Sequence, residues 1–206
     1  KHQANGNSIK LYDKQGSVLR VETTLNRPHQ FRVYRASERD PGGKKRWQVL
    51  RKGVGDLYRR AEICEAANDR YLKALASVQP GQSAGAVAQR VCRPIVKDGR
   101  RYRGLNPWAE PDAALLEIIS RGEWTVSGFR NRDVRAAFYP GKADATEARR
   151  RSGRVTRALA RLRAHGLIRK VSGTHRYQVT PAGRQIITAL LAARQADVEK
   201  LMALAA

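Results

Sequence analysis

The sequence predicts an α+β fold: a small antiparallel sheet with a long helix, then a helix-rich unit that ends in a short hairpin and a long C-terminal helix. Three observations predict it. Apolar and polar residues alternate with period two across 7–25 and again across 30–52, each time broken by a turn cluster. A three-to-four spacing of apolar residues takes over at 54–78 and returns several times after residue 107. Between them the composition breaks at Pro80-Gly81-Gln82-Ser83-Ala84-Gly85. These boundaries divide the 206 residues into a basic α+β domain over 1–79, a basic connector over 80–106 and a second domain over 107–206. The chain begins at Lys1 inside a basic polar run, so residues 1–79 are read as the end of a longer domain.

The first hairpin pairs Asn7–Tyr12 with Val18–Thr24 around Asp13-Lys14-Gln15-Gly16. Arg20 and Glu22, two apart on one strand face, are placed to pair with each other or with Lys10. A second pair, Phe31–Arg35 and Arg46–Arg51, flanks the turn signal Asp40-Pro41-Gly42-Gly43. Residues 54–78 follow as a helix with Leu57, Ala61, Cys64, Ala67, Tyr71, Ala74, Leu75 and Val78 as its stripe, and with Arg59, Arg60, Arg70 and Lys73 outward. This helix is expected to cover one four-stranded sheet, because strands of this length need such cover. Basic strands interleaved with Tyr12, Phe31, Tyr34 and Trp47 suit a surface that tracks phosphates and stacks bases, although each aromatic is more simply explained as core.

After the break, 86–93 reads as a short helix and 94–106 as a small basic hairpin around Asp98-Gly99. Pro111 and Asp112 open a helix whose buried stripe is Ala114, Leu115, Ile118 and Ile119. Residues 128–139 give another, with Phe129, Val134 and Phe138 inward. From 152 to 167 Val155, Leu159 and Leu162 form one stripe, and Ser152 or Thr146 is the expected cap. Gly166 stops that helix, since glycine alone enters the left-handed C-terminal conformation without a steric cost. Residues 167–171 and 176–180 then alternate like strands around a Ser172–His175 turn. A final helix starts at Thr180-Pro181, and its stripe runs through Ile186, Ile187, Leu190, Leu191, Val198, Leu201, Met202 and Leu204. That stripe is longer than its own domain needs, so it is expected either to pair in a homodimer or to fold back within the chain.

Arg157, Leu162, Gly166, Leu167, Ile168, Gly173, Arg176, Tyr177, Val179, Thr180 and Gly183 form a spaced motif. It resembles the recognition-helix-plus-wing segment of winged helix-turn-helix transcription factors, including MarR-like regulators. The resemblance covers roughly the last 95 residues and implies DNA binding, with a helix in the major groove and a wing on the neighbouring backbone or minor groove.

Charge points the same way. Lys and Arg number 41 against 18 acidic residues, a net charge of +23, which calls for a polyanionic partner. Between Ser127 and Tyr177 there are 14 basic and 3 acidic residues, and over 1–60 there are 15 and 5. Duplex DNA is the expected partner, with RNA as the alternative and no membrane, since no apolar run is long enough to span a bilayer. Arg150, Arg154, Arg157 and Arg161 are three to four apart and so line one helical ridge, preceded by Arg149 and Arg151. This ridge is expected to touch guanine edges and phosphates. Lys170, His175 and Arg176 on the wing, and Arg130, Arg132 and Arg135 on the preceding helix, are expected on the phosphate backbone. Lys10, Arg20, Arg32, Lys44 and Lys45 are the candidates in the first sheet. A cytoplasmic, nucleoid-associated protein is expected.

The strings Ile9–Lys14 and Leu19–Thr24 are also similar to a group of uncharacterised bacterial proteins, and more distantly to rolling-circle replication initiators of the filamentous-phage type. The second resemblance would implicate Tyr12, Lys14 and Glu22 in strand nicking, in a replication or transposition enzyme with further catalytic residues upstream. The His-x-His metal pair of such enzymes is missing, because His2, His29, His165 and His175 are scattered. Cys64 and Cys92 lack the spacing of a zinc site. Within these residues no catalytic group, metal or cofactor is expected.

Overall fold

The computed structural model describes residues 1–16, 18–76 and 84–196. The chain opens with β1 (His2–Ala4), β2 (Asn7–Lys14) and β3 (Val18–Leu25), an antiparallel sheet in that order. A 3-10 turn at Pro28–Gln30 leads to β4 (Arg32–Arg35) and β5 (Arg46–Val49), which pair only with each other. The four expected strands therefore form two separate sheets. The reason lies at both edges of the first one: β1 pairs with β2, and α1 (Leu57–Leu75) lies along β3. There Asn68 of α1 accepts from the Thr23 hydroxyl at 2.8 Å and donates to the Val21 carbonyl at 3.4 Å.

Of the stripe expected on α1 only Ala67 and Tyr71 are buried, while Leu57 and Leu75 stay exposed and Val78 lies outside the described residues. Arg70, expected outward, turns inward. Its Nε and Nη2 donate to the Thr125 and Val126 carbonyls at 2.9 and 3.0 Å. Burial pulls its pKa down to about 10, so it stays charged at neutral pH and needs those carbonyls as partners.

Next come α2 (Ala84–Cys92) and the hairpin β6 (Ile95–Lys97) and β7 (Arg100–Tyr102), turning at Asp98-Gly99 as the sequence suggests. This stretch does more than connect. Val87, Val91 and Leu105 sit in the same core as α3 (Asp112–Ser120) and everything after it. Pro80 to Ser83 of the composition break lie outside the described residues.

The larger core is closed by α3, α4 (Trp124–Ser127), α5 (Asn131–Phe138), α6 (Ala145–Ala164), the hairpin β8 (Ile168–Lys170) and β9 (Tyr177–Val179), and α7 (Pro181–Gln195). Its centre holds Leu116, Ile119, Phe129, Val134, Leu159, Leu162, Leu167, Ile187 and Leu190. In α3 the inward residue is Ala113 rather than Ala114. Phe129 also exchanges two backbone hydrogen bonds with Tyr177, at 3.0 and 2.8 Å, and so adds a one-residue third strand to the hairpin. Thr180 caps α7 by accepting from the Gly183 amide at 2.9 Å. Ile186, Ile187 and Leu190 of α7 are buried within the chain, where the helix packs on α2 and α3. The rest of the stripe, from Val198 on, lies outside the described residues.

The two parts share a second, smaller core of Ile9, Tyr71 and Val126. Gly128 stands at this junction with φ 71° and ψ −175°, a region that only glycine occupies freely. A Cβ there would also collide with the Tyr177 carbonyl. Gly128→Ala is expected to destabilise the chain by at least about 2 kcal/mol, read as a lowered midpoint in urea unfolding. An unchanged midpoint would mean that the junction is not rigid.

Overall, the chain is a mixed α and β structure with small antiparallel sheets. Among the described residues no helix is long and apolar enough to cross a membrane.

Candidate nucleic-acid interface

Helix α6 starts earlier than either expected cap. Asp144 takes the position, its carboxylate accepting from the Glu147 amide at 2.7 Å. Asp is as good an N-cap as Ser or Thr, and here it adds a negative charge at the positive end of the helix dipole. Val155, Leu159 and Leu162 face the core, which turns Arg150, Arg154 and Arg157 outward. Helix α5 holds the angle of α6: Asn131 donates to the Ser152 carbonyl at 3.0 Å and to the Thr156 hydroxyl at 2.9 Å. Nothing local in the sequence marks Asn131 for this role, because both of its partners lie across the helix pair, 21 and 25 positions away.

The arginines of this helix divide by what they touch. Arg149, Arg154 and Arg157 are exposed and make no hydrogen bond or ion pair to another described residue. Arg150 is exposed and reaches Glu147 at 3.7 Å. Arg151 is half-buried, binds Glu147 at 3.0 Å and lies over the Tyr139 ring at 5.2 Å. It braces the start of the helix.

Arg161 corrects the expected ridge. Its guanidinium pairs with Asp112, which is only 2 % exposed and also binds Arg103 through both oxygens at 3.0 and 3.1 Å. A fourth hydrogen bond to Asp112 comes from the Asn106 amide at 3.0 Å. Burial lowers the pKa of Arg161, while Asp112 opposes that shift. Helical spacing alone predicts Arg161 on the outer ridge, but a buried carboxylate 49 positions away in sequence draws it inward.

Arg176 is the second correction. Instead of standing on the wing for a phosphate it is 2 % exposed. Nη1 donates to the Ser127 hydroxyl at 3.1 Å and to the Gly128 carbonyl at 3.3 Å, and Nη2 donates to Gln30 Oε1 at 2.7 Å. Burial pulls its pKa down to about 10. Lys170 and His175, by contrast, are exposed on the hairpin as expected. On α5, Arg132 is exposed beside Asp133 at 3.5 Å. Arg130 is half-buried, and half-buried Arg135 donates to the Ala148 carbonyl at 3.4 Å.

Between α6 and the β6–β7 hairpin runs a cleft of about 510 Å³. Arg154 and Arg157 line it from the helix beside the Arg161–Asp112 pair, Arg100, Arg101 and Arg103 from the hairpin side, with Phe138 and Tyr139 completing its wall. The sole carboxylate among its lining residues is Asp112, already engaged by Arg103 and Arg161. The cleft is therefore positive and suits an anion. Arg100 and Arg101 were legible in the sequence as charge but not as a wall, because nothing in the hairpin itself says that it lies beside α6.

The candidates of the first sheet do not join this cleft. Lys10 and Arg20 lie on the β2–β3 hairpin, where Arg20 pairs with Glu22 at 2.9 Å as the strand spacing suggested. Arg32, Lys44 and Lys45 are exposed on or beside the β4–β5 hairpin. The Tyr12 hydroxyl donates to Glu22 at 2.8 Å, and that bond raises its pKa. Among the described residues no three His, Cys, Asp or Glu side chains converge.

Compared with protein-family models, with curated proteins and with solved structures, the chain finds no match.

Proposed function

We propose that this chain binds nucleic acid, duplex DNA in the first place, and that residues 107–196 act as a winged helix-turn-helix. The observation that carries the reading is the outward row Arg150, Arg154 and Arg157 on α6, two of whose guanidiniums have no partner among the described residues. Side chains held in this way leave their donors for a polyanion. Supporting it is the order of α3, the Phe129 strand residue, α5, α6 and the β8–β9 hairpin. In this reading α6 enters the major groove, where an arginine fork matches guanine O6 and N7. Arg132 on α5, Lys170 and His175 on the hairpin, and Arg100 and Arg101 across the cleft hold phosphates on either side. Phosphate contacts fix register and base contacts give the sequence preference.

The test is a competition among duplex DNA, single-stranded DNA and folded RNA across a salt series. With six to ten phosphate contacts, duplex affinity should fall about 10³- to 10⁵-fold between roughly 50 and 200 mM salt. A flat response would remove the electrostatic basis of the proposal. A preference for folded RNA over duplex DNA would replace the duplex reading with a ribonucleoprotein one.

A further inference from the structure

The β4–β5 hairpin carries an aromatic pair that the larger core does not use. Tyr34 and Trp47 are cross-strand neighbours, their rings 5.4 Å apart and tilted by 54°. They are 59 % and 46 % exposed, although the alternate residues of β4, Val33 and Arg35, are buried. The exposure thus follows from strand register and is not fraying. Arg35 anchors the inner face by donating to Asp56 at 3.3 Å and to Glu38 at 3.2 Å. Two large rings held in water by a pinned strand call for a ligand with an apolar face.

The surroundings narrow its chemistry. Arg32 shares the outer face, and exposed Lys44, Lys45 and Arg46 lead into β5. Of the nearby carboxylates, Glu38 is engaged by Arg35 and Arg51, the latter at 2.6 Å, and the Asp40 side chain lies close over Gly43 at the turn. The ligand is therefore both flat and anionic, which describes a nucleotide. Trp47 also lies against the turn of the β8–β9 hairpin, so close that a Cβ on Gly173 would come within 2.9 Å of its Cγ. Exposed Lys170 continues the positive edge from there.

We infer that the outer face of β4–β5 stacks unpaired nucleotides on Tyr34 and Trp47, next to a duplex held by α6 and the β8–β9 hairpin. The inference rests on the nucleic-acid reading above and deepens it, from a duplex reader to a reader of a duplex with a single-stranded flank. Stacking on an aromatic side chain tolerates any base, so sequence preference would still come from α6.

The experiment uses the full chain and three labelled probes: a blunt duplex, the same duplex with an overhang of about six nucleotides, within the span that one stacking surface covers, and the overhang strand alone. The overhang should tighten binding about tenfold. Tyr34→Ala and Trp47→Ala should each remove most of that gain and change blunt-duplex affinity less than about twofold, whereas Trp47→Phe, which keeps a ring to stack on, should retain it. Tyr34→Ala covers the event that Trp47→Ala loosens the contact with Gly173. Equal affinity for blunt and overhanging duplex overturns the inference and leaves the duplex reading standing, as does a gain that survives both alanine variants. Equal affinity for the overhang strand and the overhanging duplex, with no binding of the blunt duplex, removes the duplex reading and overturns the inference with it. Failure to bind any probe removes both.

Discussion

Arg154→Ala/Arg157→Ala should abolish most duplex binding while leaving the fold intact. Both guanidiniums point away from the core, and neither holds another described residue in place. Each arginine that meets a guanine edge contributes about 1–3 kcal/mol of discrimination, so the double variant should bind a preferred duplex about 30- to 10⁴-fold more weakly. If both contacts are to phosphates instead, affinity should fall evenly across sequences and the salt slope should drop by about two. The thermal midpoint should stay within about 2–4 °C, since two exposed substitutions together change stability by less than about 1 kcal/mol. A double variant that binds duplex like the parent would move the interface off α6. Arg161→Ala is the useful control. Its partner is Asp112 rather than the ligand, so it should lower stability and leave affinity, corrected for the folded fraction, within about threefold of the parent.

Asp112→Ala should destabilise the chain as strongly as truncating a buried core side chain. One buried carboxylate accepts from Arg103, Arg161 and the Asn106 amide, tying the approach to α3, the start of α3 and the last turns of α6 together. Removing it strands the Arg161 guanidinium in a half-buried site and leaves the Asn106 amide without an acceptor. Breaking a buried pair from one side costs about 3–5 kcal/mol, which for a chain of this length lowers the midpoint by about 6–20 °C. Differential scanning calorimetry measures it. A shift below about 2 °C would mean that water replaces the carboxylate without loss.

Much of this architecture is legible in the sequence, and the line between legible and hidden is physical. Period and turn chemistry are local, so the β2–β3 and β4–β5 hairpins, α1, the C-terminal end of α6 and the β8–β9 hairpin are readable to within a few residues, while the start of α6 at Ala145 is not. Thr180 as a cap is readable too, because its hydroxyl needs only the backbone three residues on. The three-residue β1 is not, being too short for alternation to register. The division of the strands into two sheets is not legible either, since Asn68 of α1 reaches β3 from 45 positions away. Arginine is the hardest residue to place. Arg154 and Arg161 look alike in a helical pattern, and only the third dimension gives one of them a buried carboxylate. Arg70 and Arg176 likewise read as solvated charge, yet both end on backbone carbonyls. For Tyr34 and Trp47 the sequence favours a core position, and exposure follows instead from a buried Arg35 that fixes which face of the strand turns out.

The stretch Thr125–Gly128 accepts guanidinium hydrogen bonds from two directions, Arg70 of α1 on one side and Arg176 of the β8–β9 hairpin on the other. Its consequence concerns inheritance and engineering. The C-terminal part is not a portable cassette, even though its outward arginines all lie within it. Cut free at residue 106, it would keep α6 but lose the donor for the Thr125 and Val126 carbonyls, and Val126 would lose Ile9 and Tyr71. A recombination event that swaps in a foreign N-terminal half must bring a matching Arg70, Tyr71 and Gln30 with it. The stability of this junction ties the sequence of one half to that of the other.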